Sequence, residues 1–267
     1  MIHTGLQINR AQLMTVLKSY GLIGRALLAN FIIVPILGVL LVRAFNLNDS
    51  IATGFLLMAI SPGVPFLVLS GGERKGGNVE FAVTLALLLP LISVVTVPIT
   101  AGLVLPLEET SRISAGNLVI SLVLFQLLPL LLGMYVNERA PVIAQRIERP
   151  LGITALVLII GVLAYLYSTL IAAVETVYGS RGFLAALALT TLSLITGYIL
   201  GGPERENRRT LCIGTNLRNI GLVLTVASTS FAFDRVVSAA GIAYLLVQFV
   251  TTVVAGMLFR RGAYPIR

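Results

Sequence analysis

Eight long apolar runs separated by short polar stretches follow one another along this chain, and two of the runs are interrupted in the middle. A membrane-spanning helix needs about 20 mainly apolar residues. The pattern predicts passes at residues 21–42, 51–70, 80–105, 117–136, 151–174, 182–200, 210–232 and 236–259. The second run is broken at Ser61-Pro62-Gly63-Val64-Pro65, and the seventh at Gly214-Thr215-Asn216-Leu217-Arg218-Asn219-Ile220-Gly221. Hydrocarbon offers no water to free backbone groups, so a break survives only where protein buries it or where it lines a cavity. Paired interrupted segments in corresponding halves point to the binding site of a transporter. Pro35, Pro90, Pro98 and Pro129 fall inside other runs and predict kinks satisfied by neighbouring helices.

The order of runs carries a repeat. The first three read unbroken, broken, unbroken, and so do the last three, with two unbroken runs between them. A chain that sends 21–42 outward sends 182–200 inward, so the triads are related by inversion, which places a substrate site at the bilayer midplane. If the middle pair opens the second repeat, that repeat has five helices and the first has three. Two helices are then expected to be lacking ahead of residue 1. The alternative is that the middle pair is a linking hairpin.

Composition agrees with the runs. Of 267 residues, 57% are hydrophobic and 11% charged, with mean hydropathy +0.98. Soluble domains carry about 25% charged residues, so an all-α integral membrane protein is predicted. The net charge of +8 could suggest nucleic acid, but no basic run has interleaved aromatics, and no nucleic-acid partner is expected. Instead the basic residues sort by side. One set of loops holds Arg10, Lys18, Arg25, Arg74, Lys75, Arg139, Arg146, Arg149, Arg205, Arg208, Arg209, Arg260, Arg261 and Arg267, and the other holds Arg43, Arg112, Arg181 and Arg235. By the positive-inside rule both termini are expected in the cytoplasm, in a bacterial inner membrane. The single cysteine, Cys212, allows no internal disulfide and reads as packing. No His-Glu-x-x-His motif and no paired membrane aspartates are present, so neither an enzyme nor a cofactor or metal centre is expected.

Arg218 is the one charge deep in any predicted span. An Arg at a helix centre costs roughly 2.5–3.5 kcal/mol, so it faces a cavity or a partner. Glu80 and Glu175 lie near span ends, leaving Arg218 without an evident counter-ion. Half-helix N-termini at a break also favour anions. One reading is a site for a small organic anion. The other is that Arg218 bonds carbonyls freed at the opposite break and staples the crossing. Asn216, Asn219 and Thr215 flank it, and on unwound backbone they are expected to face the cavity. Asn30 and Gln248, in the first and last runs, are candidate substrate contacts or interhelical hydrogen-bonding groups.

Several stretches together resemble the bile acid:sodium symporter family. They are Gly5-Leu6-Gln7-Ile8, the Ala29-Asn30-Phe31 to Val34-Pro35 stretch ending at Gly38, Ser61-Pro62-Gly63 at the first break, and Asn219-Ile220-Gly221-Leu222 at the second. The resemblance implies an inverted-repeat transporter fold of ten helices with two discontinuous crossing helices, of which about eight passes are expected here. It also implies a core domain of residues 21–106 and 182–259, a reduced panel domain of 107–181, a cytoplasmic segment 1–20 that ends the family's second helix, and a cytoplasmic tail 260–267. The family's sodium ligands are not matched. A Ser-Asn pair after the first crossover reads Leu67 and Val68, two hydroxyls on the next helix read Ala82 and Ala86, and a Glu and a Gln on the second broken helix read Gly214 and Arg218.

The expected function is therefore a secondary transporter or facilitator for a small organic anion, working by alternating access without the family's sodium sites. The alternative is a non-transporting membrane component. The bilayer and the anion are the expected partners, with homo-oligomerisation if the N-terminus is short.

Overall fold

The computed structural model of the protein describes residues 1–8, 19–63, 76–106, 114–230 and 234–261. Ten helices cover most of them: α1 (Ile2–Leu6), α2 (Tyr20–Phe45), α3 (Asp49–Ile60), α4 (Val79–Val104), α5 (Ala115–Arg139), α6 (Pro141–Gly179), α7 (Gly182–Leu200), α8 (Arg205–Asn216), α9 (Ile220–Ser230) and α10 (Arg235–Arg261). Five of them, α2, α4, α5, α7 and α10, are long and apolar enough to cross a membrane. Helix α6 runs for 39 residues. Helices α3, α8 and α9, of 12, 12 and 11 residues, have about half the length of a span. No sheet forms among the described residues.

The seventh run breaks more tightly than its sequence suggests. Only Leu217, Arg218 and Asn219 leave the helix, while Gly214, Thr215 and Asn216 close α8 and Gly221 lies in the first turn of α9. The expectation that Asn216 sits on unwound backbone is corrected accordingly. The reason lies in the chain: Thr215 and Asn216 complete the last α8 turn, and Asn219, whose Oδ1 accepts from Leu222 N at 3.4 Å, caps the start of α9. In the second run α3 stops at Ile60, and Ser61, Pro62 and Gly63 are buried in the break. Pro65, Leu67 and Val68 lie outside the described residues.

Two of the prolines act through π turns. Helix α2 contains one at Ala29–Ile33 and α5 one at Val123–Leu127, ending one residue short of the residue before Pro35 and Pro129 respectively. Proline has no N–H and its ring clashes with the preceding turn, so the ladder there widens. Val34 N bonds Ala29 O and Leu128 N bonds Val123 O, each five residues back.

Packing is organised around α3. Every residue from Ile51 to Ile60 is buried, as expected of a half-helix that is apolar on all sides. Phe55 to Ile60 meet Val94 and Val97 of α4, Leu189 of α7, Val223 and Val226 of α9, and Tyr244 and Val247 of α10. A second cluster joins Leu22 and Ala26 of α2, Phe81 and Leu85 of α4, and Leu211 and Ile213 of α8. Helix α3 thus shares a core with α4, α7, α9 and α10, and α8 shares one with α2 and α4. Small residues allow close approaches: a Cβ on Gly54 would lie 2.4 Å from Val237 O of α10, and one on Gly197 would lie 2.4 Å from Leu211 O of α8. Asn78 caps α4 through Phe81 N and reaches Asn207 Oδ1 and the Thr210 hydroxyl, tying the starts of α4 and α8 together.

Candidate functional site

A helix end leaves carbonyls without intrahelical partners, and inside a bilayer each must find one. At the end of α3 several of these groups find partners within the break. Leu57 O accepts from the Ser61 hydroxyl, Ala59 O accepts from Arg218 Nη1 at 3.3 Å, and Ser61 O accepts from Asn219 N at 3.0 Å. Pro62 and Arg218 form an isolated antiparallel bridge. The two breaks therefore cross and pair with each other.

The second break is satisfied in the same way. Arg218 N donates to Gln248 Oε1 at 2.9 Å, and Arg218 Nη2 donates to Thr215 O at 2.6 Å. Asn216 Nδ2 donates to the hydroxyls of Thr252, at 2.9 Å, and Thr251, at 3.3 Å, fixing the end of α8 to α10. Arg218 is 3% exposed, and its guanidinium braces a carbonyl from each break. The staple geometry contemplated from the sequence is present.

Hydrogen-bonding capacity remains at the crossing. Thr215 Oγ1, Asn216 Oδ1, Arg218 Nε and the Tyr244 hydroxyl are buried and have no hydrogen-bond partner among the described residues. Unmatched buried polar atoms cost about 1–3 kcal/mol each and call for an explanation. Asn30 stands apart from this group. It lies in the α2 π turn, donates locally to Ala26 O at 2.9 Å, and leaves its Oδ1 unpaired. Of the six candidate contacts, Arg218, Asn219 and Gln248 are linked by hydrogen bonds at the crossing, with Thr215 and Asn216 beside them on α8.

One further residue belongs here. Gln126, in the π turn of α5, accepts from Asn219 Nδ2 at 2.6 Å and donates to Pro90 O at 2.9 Å and Ser93 Oγ at 2.7 Å. Its signal was in the sequence, a lone amide deep in an apolar run, the same rule that selects Asn30 and Gln248. Gln126→Leu keeps the volume and removes all three bonds. It is expected to cost about 1–2 kcal/mol, read by chemical unfolding in mixed micelles. A double-mutant cycle with Asn219→Ala should show a coupling of about 1 kcal/mol, and zero coupling would mean that the bond is not made.

At three of the positions where the family resemblance implies cation ligands, the side chain is a methyl group or absent. Ala82 and Ala86 are buried on one face of α4, and Gly214 is buried in α8.

An all-helical membrane protein with two interrupted helices paired at their breaks has the architecture of a membrane transporter. This chain belongs to the sodium bile acid symporter family, whose model matches residues 1–176. It is 25% identical over 225 residues to the rice (Oryza sativa subsp. japonica) protein named "Probable sodium/metabolite cotransporter BASS3, chloroplastic", a match covering 80% of this chain and 51% of that one. It is 24% identical over 219 residues to the human P3 protein, covering 76% of this chain and 43% of the relative. The chain spans about half the length of these curated relatives.

Proposed function

We propose that the protein is a secondary transporter or facilitator that moves a small organic anion by alternating access around the paired breaks, without the family's sodium sites. The observation that carries this reading is the crossing itself: a guanidinium, the amides of Asn216, Asn219 and Gln248, and two half-helix ends converge with polar atoms to spare. Fixed positive charge, with Arg218 Nε and the Tyr244 hydroxyl as unpaired donors, suits a carboxylate-type ligand. Sodium is a hard cation that needs several oxygen ligands, and alkyl side chains at Ala82 and Ala86 supply none. Arg218 nearby repels a cation and stands as the fixed partner of an anion in its place. The rice relative's name speaks of sodium and a metabolite; for this chain the reading keeps a metabolite anion and drops the sodium.

In this reading residues 21–106 and 182–259 form the core, 107–181 form the panel, and the flanking segments 1–20 and 260–267 face the cytoplasm of a bacterial inner membrane. The Asn219–Gln126 bond crosses from core to panel, so it must break and re-form as the panel rocks. A second reading has its own support. Both Nη atoms of Arg218 already serve the breaks, which fits a static brace in a non-transporting relative.

Uptake of labelled small carboxylates into proteoliposomes, with sodium and proton gradients imposed separately, tests both. Saturable uptake that is unchanged when sodium is replaced by potassium is expected. Strict dependence on sodium overturns the sodium-free reading, and absence of uptake for every carboxylate tried favours the non-transporting one.

A further inference from the structure

We propose that the groove between α7, α8 and α10 binds an anionic glycerophospholipid, with an acyl chain along the groove and the phosphate on Arg208 and Arg209. The groove has a volume of about 620 Å³ and is lined by apolar side chains, among them Leu187, Leu194, Tyr198, Val250, Val254 and Phe259. From Leu187 to Tyr198 it follows α7 for about 16 Å at 1.5 Å per residue, close to the roughly 15 Å of hydrocarbon in one leaflet. A single acyl chain matches that length.

One end of the groove is built differently from the rest. Tyr198 and Phe259 stack there with centroids 6.2 Å apart. Arg208 lies over the Tyr198 ring at 5.7 Å, and Arg209 over the Phe259 ring at 5.6 Å. The aromatic pair is thus flanked by two guanidiniums, each half-buried and each held by one backbone carbonyl. Arg208 Nε donates to Gly202 O, and Arg209 Nη1 to Gly76 O at 3.4 Å. The remaining N–H groups of both forks are available to a phosphate, which guanidinium binds bidentately.

Charge at this end is predominantly positive. Arg25 approaches the same corner, with Nη2 3.0 Å from where a Cβ of Gly202 would stand. Arg205 opens α8. Against these stand Glu204 and Glu206, and Glu204 is engaged by Asn207 Nδ2 at 2.6 Å. An apolar channel of one-leaflet length, capped by amphipathic rings and guanidiniums at the interface, has the chemistry of a basic lipid-headgroup pocket. Nothing in it depends on whether the protein transports.

The test uses the full chain purified in detergent, with lipid retention followed by native mass spectrometry. Phosphatidylglycerol and phosphatidylcholine with the same acyl chains are compared, with glycerol 3-phosphate as the headgroup alone. Phosphatidylglycerol is expected to be retained at least ten-fold more tightly than phosphatidylcholine, and glycerol 3-phosphate not at all. The Arg208→Gln/Arg209→Gln pair should weaken phosphatidylglycerol about thirty-fold, two charges at the usual interfacial strength. Arg208→Lys/Arg209→Lys should keep most of the binding, and Val254→Trp, which fills the groove from its rim, should weaken it with both arginines in place. Equal retention of the two lipids, or undiminished phosphatidylglycerol binding in the Gln pair, overturns the proposal. So does a concentration-dependent dimer that excludes lipid, because the groove then belongs to a second copy. Binding of glycerol 3-phosphate alone as tight as that of the lipid reassigns the arginines to a free phosphate and overturns the acyl part.

Discussion

Replacing Arg218 with Ala is expected to lower uptake at least ten-fold and to destabilise the protein by about 2 kcal/mol. Two opposing effects set that figure. Truncation strips the side-chain bonds to Ala59 O and Thr215 O and leaves both carbonyls buried in the break. Hydrogen bonds to a charged group are worth about 1.5–3 kcal/mol each, so the loss is about 3–6 kcal/mol. Removing a guanidinium from the middle of a span returns roughly 2.5–3.5 kcal/mol. The lost bonds win by a small margin, because the carbonyls have no water to turn to. Arg218→Lys separates the two roles. A lysine keeps the charge but lacks the planar fork that reaches both breaks, so a brace predicts stability as low as that of the Ala variant. An anion site predicts partial uptake in the Lys variant and none in the Ala variant. Thermal unfolding in detergent and proteoliposome uptake, measured on both variants, read these outcomes. Uptake by Arg218→Ala equal to that of the parent removes the arginine from the transport site.

Gly63→Ala is expected to open the crossing. A Cβ at Gly63 would stand 2.3 Å from Asn219 Cβ and 3.2 Å from Asn219 Cα. These are atoms fixed to the backbone, so no rotamer change relieves the contact. Relief requires the two breaks to separate by about 1 Å or more, which ruptures the Asn219 N to Ser61 O bond. Overpacking of this kind costs about 1–3 kcal/mol, and the orphaned carbonyl adds about 1–3 kcal/mol. Uptake should fall to background. Gly24→Ala supplies the control, because nothing lies within 4 Å of its Cβ position on α2. That change should stabilise by about 0.5–1 kcal/mol through helix propensity. Opposite shifts in the unfolding midpoint are therefore predicted for the same chemical change at two glycines. If Gly63→Ala unfolds and transports like the parent, the breaks do not touch as described.

The separate halves of this arrangement were legible in the residues. Runs of about 20 apolar side chains announce membrane helices because lipid leaves few alternatives for the backbone, and 182–200 coincides with α7. The interruptions at Ser61 and near Arg218 were equally visible, since Pro, Gly and a buried charge are rare in the middle of a span. Their extent was not. Gly214 and Gly221 read as part of the break, yet both are helical, because glycine permits unwinding without requiring it. Gln126 is different: a lone amide deep in the run 117–136 signals a polar contact, but its partner Asn219 lies 93 residues away and nothing local names it.

What the sequence determined by itself is the class of molecule and the places where its helices fail. Hydrophobicity and charge are properties of single residues summed along the chain, so they need no knowledge of contacts. What only the tertiary structure decided is how the failures are repaired. Arg218 could have faced open water, a ligand or a backbone, and the fold puts Ala59 O and Thr215 O against its guanidinium and Gln248 against its amide. Thr215 is a neighbour in the chain, but Ala59 and Gln248 come from α3 and α10, 159 and 30 residues away. A buried donor takes whichever acceptor packing brings within about 3 Å, and packing is set by every side chain in the bundle at once.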